Sequence, residues 1–175
     1  MKYKMLIKFP QISNNTFDDS LISFGETPYA KHNIVKKSTD KQVGFLTEHS
    51  LMFIIKGKKY FHFDGHTVCI KSNELILIKR GIYTISEFIP DNDCFEALII
   101  FIPDKFLQTF CKQTNIPYNK TEITYTILKY NRLLSQFQSY YLNYFIENFQ
   151  GKEELLNLKL QELFLLLQNA DNKDK

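Results

Sequence analysis

The chain has too few cysteines for a disulfide scaffold. Cys69, Cys94 and Cys111 are odd in number, far apart and contain no C-x-x-C. That pattern predicts idle or buried thiols in a reducing compartment. No apolar run approaches the roughly 18 residues of a membrane-spanning helix. The opening, MKYKMLIKFPQIS, has too short an apolar stretch for a signal peptide and no small-residue cleavage site. These absences predict a soluble cytoplasmic protein with no membrane partner. Charge is also nearly balanced. Twenty-two Lys and Arg against 19 Asp and Glu leave +3, too little to argue for nucleic acid by itself. Lys36, Lys37, Lys56, Lys58, Lys59, Lys71 and Lys79 read as solvated positions on strand edges.

Catalytic signatures are missing as well. The four histidines, His32, His49, His62 and His66, include no H-x-H pair. His49 beside Glu48, together with His66, is the remaining metal candidate, set against the plainer reading of satisfied or solvent-facing histidines. There is no G-x-S-x-G, no phosphate loop and no dinucleotide fingerprint. The carboxylate pairs Asp18-Asp19 and Glu153-Glu154 read as helix-start or surface charges. No catalytic residue, cofactor or metal is therefore assigned, and an enzyme is not expected. The competing reading is a stand-alone cupin-type binding protein or metal-dependent cupin enzyme.

What the chain does have is apolar and aromatic bulk: 44% hydrophobic residues, 16 Phe and 10 Tyr in 175 residues. That excludes intrinsic disorder and suits one domain with an appendage. The pattern changes near residue 103. Before it, β-type runs alternate with turns: Leu51–Lys56, Lys59–Phe63, His66–Ile70, Glu74–Lys79, Ile82–Phe88 and Phe95–Ile102, with weaker candidates at Tyr3–Lys8, Leu21–Phe24 and Ile34–Lys37. Evenly spaced strands without intervening helices predict an antiparallel sandwich or barrel over 1–103. Asp64-Gly65 is a two-residue hairpin signal in which both positions favour positive φ. It sets Phe63 opposite His66 and Phe61 opposite Val68 on the inner side, with Tyr60, His62, Thr67 and Cys69 outside. An interior lined by Phe53, Phe61, Phe63 and Val68 is either filled or open to a ligand, with His66, Tyr60, Lys79 and Tyr83 as polar contacts near strand ends.

After Pro103, Asp104 can cap a helix running to about Lys112, and Ile123–Leu128 suits one more extended segment. Longer helices are expected over Asn131–Phe149 and Lys152–Asn169, separated by Gly151. The helical segment thus covers 104–170, and a polar tail 171–175 follows. At about 100° per residue, Leu156, Leu160, Leu163 and Leu167 fall in one stripe of the last helix. Leu155, Leu158, Leu165 and Leu166 form a second stripe roughly opposite. Two apolar faces need two partners. Either both are internal, or one is a homodimer seam, expected at Leu156, Leu160, Leu163 and Leu167.

The segment EHSLMFIIKGKKYFHFDGHTVCIKSNELILIKRG, followed later by EELLNLKLQELFLLL, resembles the N-terminal regulatory domain of AraC-type transcription regulators. The resemblance runs from about Glu48 to Asn169 and is closest to the type III secretion activator-like subgroup. It implies a cupin-like double-stranded β-helix that senses a small-molecule or protein effector, followed by helices that dimerise. In that family a further segment with two helix-turn-helix motifs reads DNA, so DNA contact is expected only through a part not present here. On this resemblance, residues 171–175 would begin the linker of a shortened regulator. Asn73 stands where a glycine often precedes the Glu, and Asn tolerates positive φ.

Overall fold

Two strands of the chain have almost no polar face. His49–Lys56 (HSLMFIIK) and Phe95–Ile102 (FEALIIFI) are buried on both sides over most of their length. A strand of that kind needs a layer above and another below. In the computed structural model, which describes residues 6–10, 20–24, 27–37, 40–89, 93–116, 123–147 and 149–171, the layers are a second sheet and a set of helices.

The strands in chain order are β1 (Leu6–Phe9), β2 (Leu21–Phe24), β3 (Thr27–Val35), β4 (Gln42–Leu46), β5 (His49–Lys56) and β6 (Lys58–Phe63). They continue as β7 (His66–Lys71), β8 (Glu74–Ile78), β9 (Gly81–Phe88), β10 (Phe95–Ile102) and β11 (Tyr125–Lys129). One sheet has the order β1-β4-β9-β6-β7 and the other β11-β8-β5-β10-β3-β2. Numbered from β3 as the first, the eight strands β3 to β10 lie in the orders 2-7-4-5 and 6-3-8-1. That is the double-stranded β-helix, or jelly roll, built from antiparallel pairs. The expected cupin-like architecture is therefore the one observed. β1 joins by parallel pairing to β4.

Alternation along the central strands divides the core in two. Met52, Ile54, Ala97, Ile99 and Phe101 face the second sheet, while Leu51, Phe53, Leu98, Ile100 and Ile102 face the helices. At Gly57 the chain leaves one sheet for the other. Its φ of 75°, and a backbone oxygen of Phe88 that would lie 3.1 Å from an added Cβ, leave room only for glycine. The β6–β7 register is the one derived from Asp64-Gly65, with Phe63 opposite His66 and Phe61 opposite Val68. The turn differs from expectation, because only Gly65 (φ 84°) is left-handed and Asp64 is not. Asn73 adopts φ 67° before β8, so the turn survives the missing glycine.

The helices are α1 (Asp104–Gln113), α2 (Arg132–Tyr141) and α3 (Lys152–Asp171), with a 3₁₀ turn at Leu142–Phe145. Asn131 caps α2 by accepting a hydrogen bond from the Leu134 amide at 2.9 Å. The helix expected to reach Phe149 stops at Tyr141. An aromatic-rich stretch with weak helix propensity follows it, and the backbone tightens there. Asp104 begins α1 but does not cap it; its side chain makes no capping bond.

The leucine stripe corrects another expectation. Leu156, Leu160, Leu163 and Leu167 are buried within the chain, in one cluster with Leu134, Phe137 and Tyr141 of α2 and the outer face of the six-stranded sheet. They are not available as a dimer seam, because they cover the outer face of β5 and β10. The opposite face is the outward one: Leu158 is 59% and Leu165 48% exposed. Of the tail 171–175, residues 172–175 lie outside the described residues, as does the pair Asp18-Asp19.

Two outcomes follow from this packing. Leu163 is fully buried, so Leu163→Ala should cost about 2–5 kcal/mol, read from urea unfolding monitored by far-UV circular dichroism. Burial also pushes the phenols of Tyr130 and Tyr141 well above their ordinary value of 10.0. The folded state holds both neutral, so their contribution is intact below pH 10 and is lost as pH rises beyond it, when the unfolded chain ionises first. Tyr141→Phe should flatten the alkaline fall in stability between pH 10 and 12, measured by the same unfolding experiment.

Candidate functional site

The barrel interior was the first place to expect a ligand. Phe61, Phe63, Val68 and Tyr83 do converge there: Phe61 and Phe63 meet Tyr83 edge-on at 5.9 and 6.0 Å, and Val68 packs on the same cluster. His66 sits exposed at the mouth, stacked on Phe63 at 5.0 Å, with Tyr125 on the other strand end. Phe53 does not belong to this set. It points out of the barrel into the helical layer, against Tyr130 at 5.3 Å and Phe137 at 6.2 Å. Odd positions of β5 face the helices, which reverses the side assigned to it.

Side chains fill this interior. The space left between Met52, Phe61, Tyr83, Ile85 and Phe101 is about 20 Å³, enough for one water and no more. It also holds charge. Lys59, read from the sequence as an edge lysine, is 5% exposed and forms an ion pair with Glu87, itself buried. Its ammonium lies 5.9 and 5.4 Å from the ring centres of Phe61 and Phe95. β6 alternates inward at Lys59, Phe61 and Phe63, so the strand pattern itself puts the lysine inside. Phe61 and Phe63, which follow it at alternate positions, were the available signal.

A larger opening lies outside the barrel. A groove of about 760 Å³ runs between the β8–β11 end of the six-stranded sheet and helices α1 and α3. Leu77, Ile102, Leu107, Tyr125 and Phe164 supply apolar wall, and His49, Lys79, Arg80 and Asp104 the polar corner. Three of these form one network. The backbone N–H of Arg80 donates to His49 Nδ1 at 3.3 Å, which leaves His49 Nε2 to donate to Asp104 Oδ1 at 3.0 Å. Arg80 Nη1 donates to Asp104 Oδ2 at 2.8 Å. A residue opening β5, one in the β8–β9 turn and the first residue of α1 thus meet at a single carboxylate.

The histidines are accounted for by ordinary partners. His49 belongs to this network, His32 pairs with Glu96 at 2.8 Å, and His62 faces outward between Thr67 and Ser86. His66 lies 3.4 Å from the Tyr125 hydroxyl. Among the described residues no group of three or more His, Cys, Asp or Glu is placed to hold a metal ion. Tyr60 stacks on His62 on the outer side, and Lys79 lines the groove, not the barrel. No helix of the described residues is long and apolar enough to cross a membrane.

Comparison with known proteins agrees with the topology. No curated protein matches the chain by sequence. Among solved structures, ToxT from Vibrio cholerae O395 bound to (E)-4-(8-methylnaphthalen-1-yl)but-3-enoic acid superposes with a TM-score of 0.55 at 16% identity, covering 83% of this chain and 57% of ToxT. A 1.65 Å structure of ToxT from the same species gives 0.54 at 14%, with the same coverage. ToxT from strain SCE256 with an unsaturated fatty acid bound gives 0.53 at 10%, covering 83% and 55%. The chain therefore spans just over half the length of these neighbours, and at such identities the likeness is one of fold. The family model of the ExsA N-terminal regulatory domain matches residues 49–175. Through that match, which takes in β5 to β11 and every helix, the chain belongs to the ExsA N-terminal regulatory domain family and is a regulatory domain of the AraC type.

Proposed function

We propose that the chain is the effector-sensing and self-associating part of a longer cytoplasmic transcription regulator, whose DNA-reading half lies in a further segment. The observation that carries this reading is the family match across barrel and helices together. The length of the ToxT neighbours, of which this chain covers 57% or less, supports a second part in the whole protein.

Self-association is assigned to the outward side of the helical layer, not to the stripe spent on the sheet. Leu158 and Leu165 are exposed seven residues apart on α3, and Leu133 and Tyr140 are exposed seven apart on α2. Residues seven apart lie on one helix face. A two-fold pairing of such faces would hold two DNA-reading parts in the symmetry that paired half-sites require. The sensing role is supported by ToxT, which binds an unsaturated fatty acid. An effector acts on such an assembly only through unequal affinity for its competent and incompetent states.

Light scattering on the purified chain at high micromolar concentration should give a mass near twice 20.7 kDa. The Leu158→Glu, Leu165→Glu double variant should run as a folded monomer with an unchanged far-UV spectrum, since neither side chain is in the core. A monomeric wild type at that concentration would remove self-association from this reading.

A further inference from the structure

We infer that the outer face of the five-stranded sheet binds single-stranded nucleic acid, with phosphate on Lys58 and Lys71 and bases stacked on Tyr60, His62 and Phe88. This contact belongs to the regulatory domain itself. It is separate from the DNA-reading half assigned above to a further segment, and independent of effector sensing. The helices pack on the other sheet. Ile82 and Phe88, at outward positions of β9, are 64% and 48% exposed, so the described residues leave this face uncovered.

Strand register arranges the face in rows. Lys59, Phe61 and Phe63 point inward from β6, so Lys58, Tyr60 and His62 point outward. Lys58 stands opposite Lys71 of β7 on one side and Phe88 of β9 on the other. Two residues along, about 7 Å away, Tyr60 stands between Cys69 and Ser86. The next row sets His62 between Thr67 and Thr84. A cationic row is thus followed by two rows that each carry a ring. Glu87 is the one acid in the five strands, and it is turned inward onto Lys59.

The cationic row points to an anion. Like charges directly opposite each other in a sheet destabilise it, and neither ammonium has an ion pair among the described residues. Glu74 accepts from the backbone amide of Lys71 at 3.0 Å, not from its ammonium. Protection of a sheet edge accounts for Lys71, because β7 ends the sheet. It does not account for Lys58, because β6 lies between β9 and β7. A phosphate between the two ammoniums converts their repulsion into charge-assisted contacts. The rings select the rest of the ligand. Lys58 reaches over Phe88, 5.7 Å from the ring centre. Tyr60 and His62 lie within 15° of parallel, and hydrogen bonds of 3.1 and 3.0 Å to Thr67 and Ser86 hold the imidazole. Rings beside cations stack bases of any sequence once those bases are unpaired. A duplex keeps its base faces hidden, and an acidic peptide accounts for the lysines alone.

The test is fluorescence anisotropy of labelled dodecamers, oligo(rU), oligo(dT) and a duplex of mixed sequence, titrated with the whole chain at low salt. Either single strand should bind about tenfold or more tighter than the duplex, whose bases are not free to stack. The Lys58→Gln, Lys71→Gln double variant should weaken single-strand binding and lower the slope of log K against log salt by about 1.4, the value for two phosphate contacts. Tyr60→Ala should weaken binding about fivefold or more at an unchanged salt slope, as expected for one lost base stack. Lys105→Gln, Lys112→Gln removes the same charge from exposed positions of α1, on the helical side, and should leave binding unchanged. Far-UV spectra check that each variant is folded, and the exposed lysine pair carries the test should Tyr60→Ala unfold. Tighter binding of oligo(rU) than oligo(dT) would support RNA as the source, and equal binding would support single strands of either sugar. Equal losses from the two lysine pairs, or equal affinity for the duplex, would reduce the contact to diffuse charge and overturn the site. Displacement of oligo(rU) by an equimolar oligo-glutamate peptide would overturn it in favour of an acidic protein partner. Absence of single-strand binding would overturn it outright, and no outcome bears on self-association or effector sensing.

Discussion

The whole architecture depends on β5 and β10 being apolar on both faces. A sheet with one wet face closes its core with a single partner layer; these two strands require two. The second sheet covers one side and completes the jelly roll. On the other side Leu51, Phe53, Leu98, Ile100 and Ile102 would meet water unless helices lay across them. At about 25 cal/mol per Å² of apolar surface removed from water, a layer of this kind outweighs any single hydrogen bond in the molecule. The helical segment is thus a structural necessity for the barrel before it is anything else.

That necessity explains which parts of the molecule were legible in the sequence. The hairpin register, the change of pattern at Pro103, the left-handed Asn73 and the bounds of α1 and α3 all follow from local chemistry, and the structure has them. β4 and most of β3 were not legible. Gln42–Leu46 is short with a central glycine, and Thr27–Val35 mixes Pro, Lys, His and Asn into a strand. Gly44 is there because Ile85 and Phe9 would crowd a Cβ to 3.1 and 3.2 Å, a reason that exists only in three dimensions. The leucine stripes were recognised as two faces, but periodicity ranks neither. The choice between them came from the free face of the sheet, a tertiary fact.

The groove was invisible for a different reason. His49, Arg80 and Asp104 are far apart in the chain, and the sequence offers His49 only as a metal candidate and Asp104 only as a helix cap. Their meeting depends on β5 starting, β8 ending and α1 beginning at the same end of one sheet. No spacing rule encodes that coincidence. By contrast the barrel lining was half legible, because the β6–β7 alternation is strict and Phe61, Phe63, Val68 and Tyr83 obey it, while Phe53 lies on a strand whose two faces are equally greasy.

The inward lysine of β6 has a bearing on which guests the jelly roll can admit. A neutral hydrocarbon entering between Phe61 and Phe101 would have to part the Lys59–Glu87 couple, or else press against an ammonium and a carboxylate. Separating such charges in a dry interior costs several kcal/mol. The buried couple therefore makes that interior less favourable for an oily guest than its aromatic walls alone would suggest.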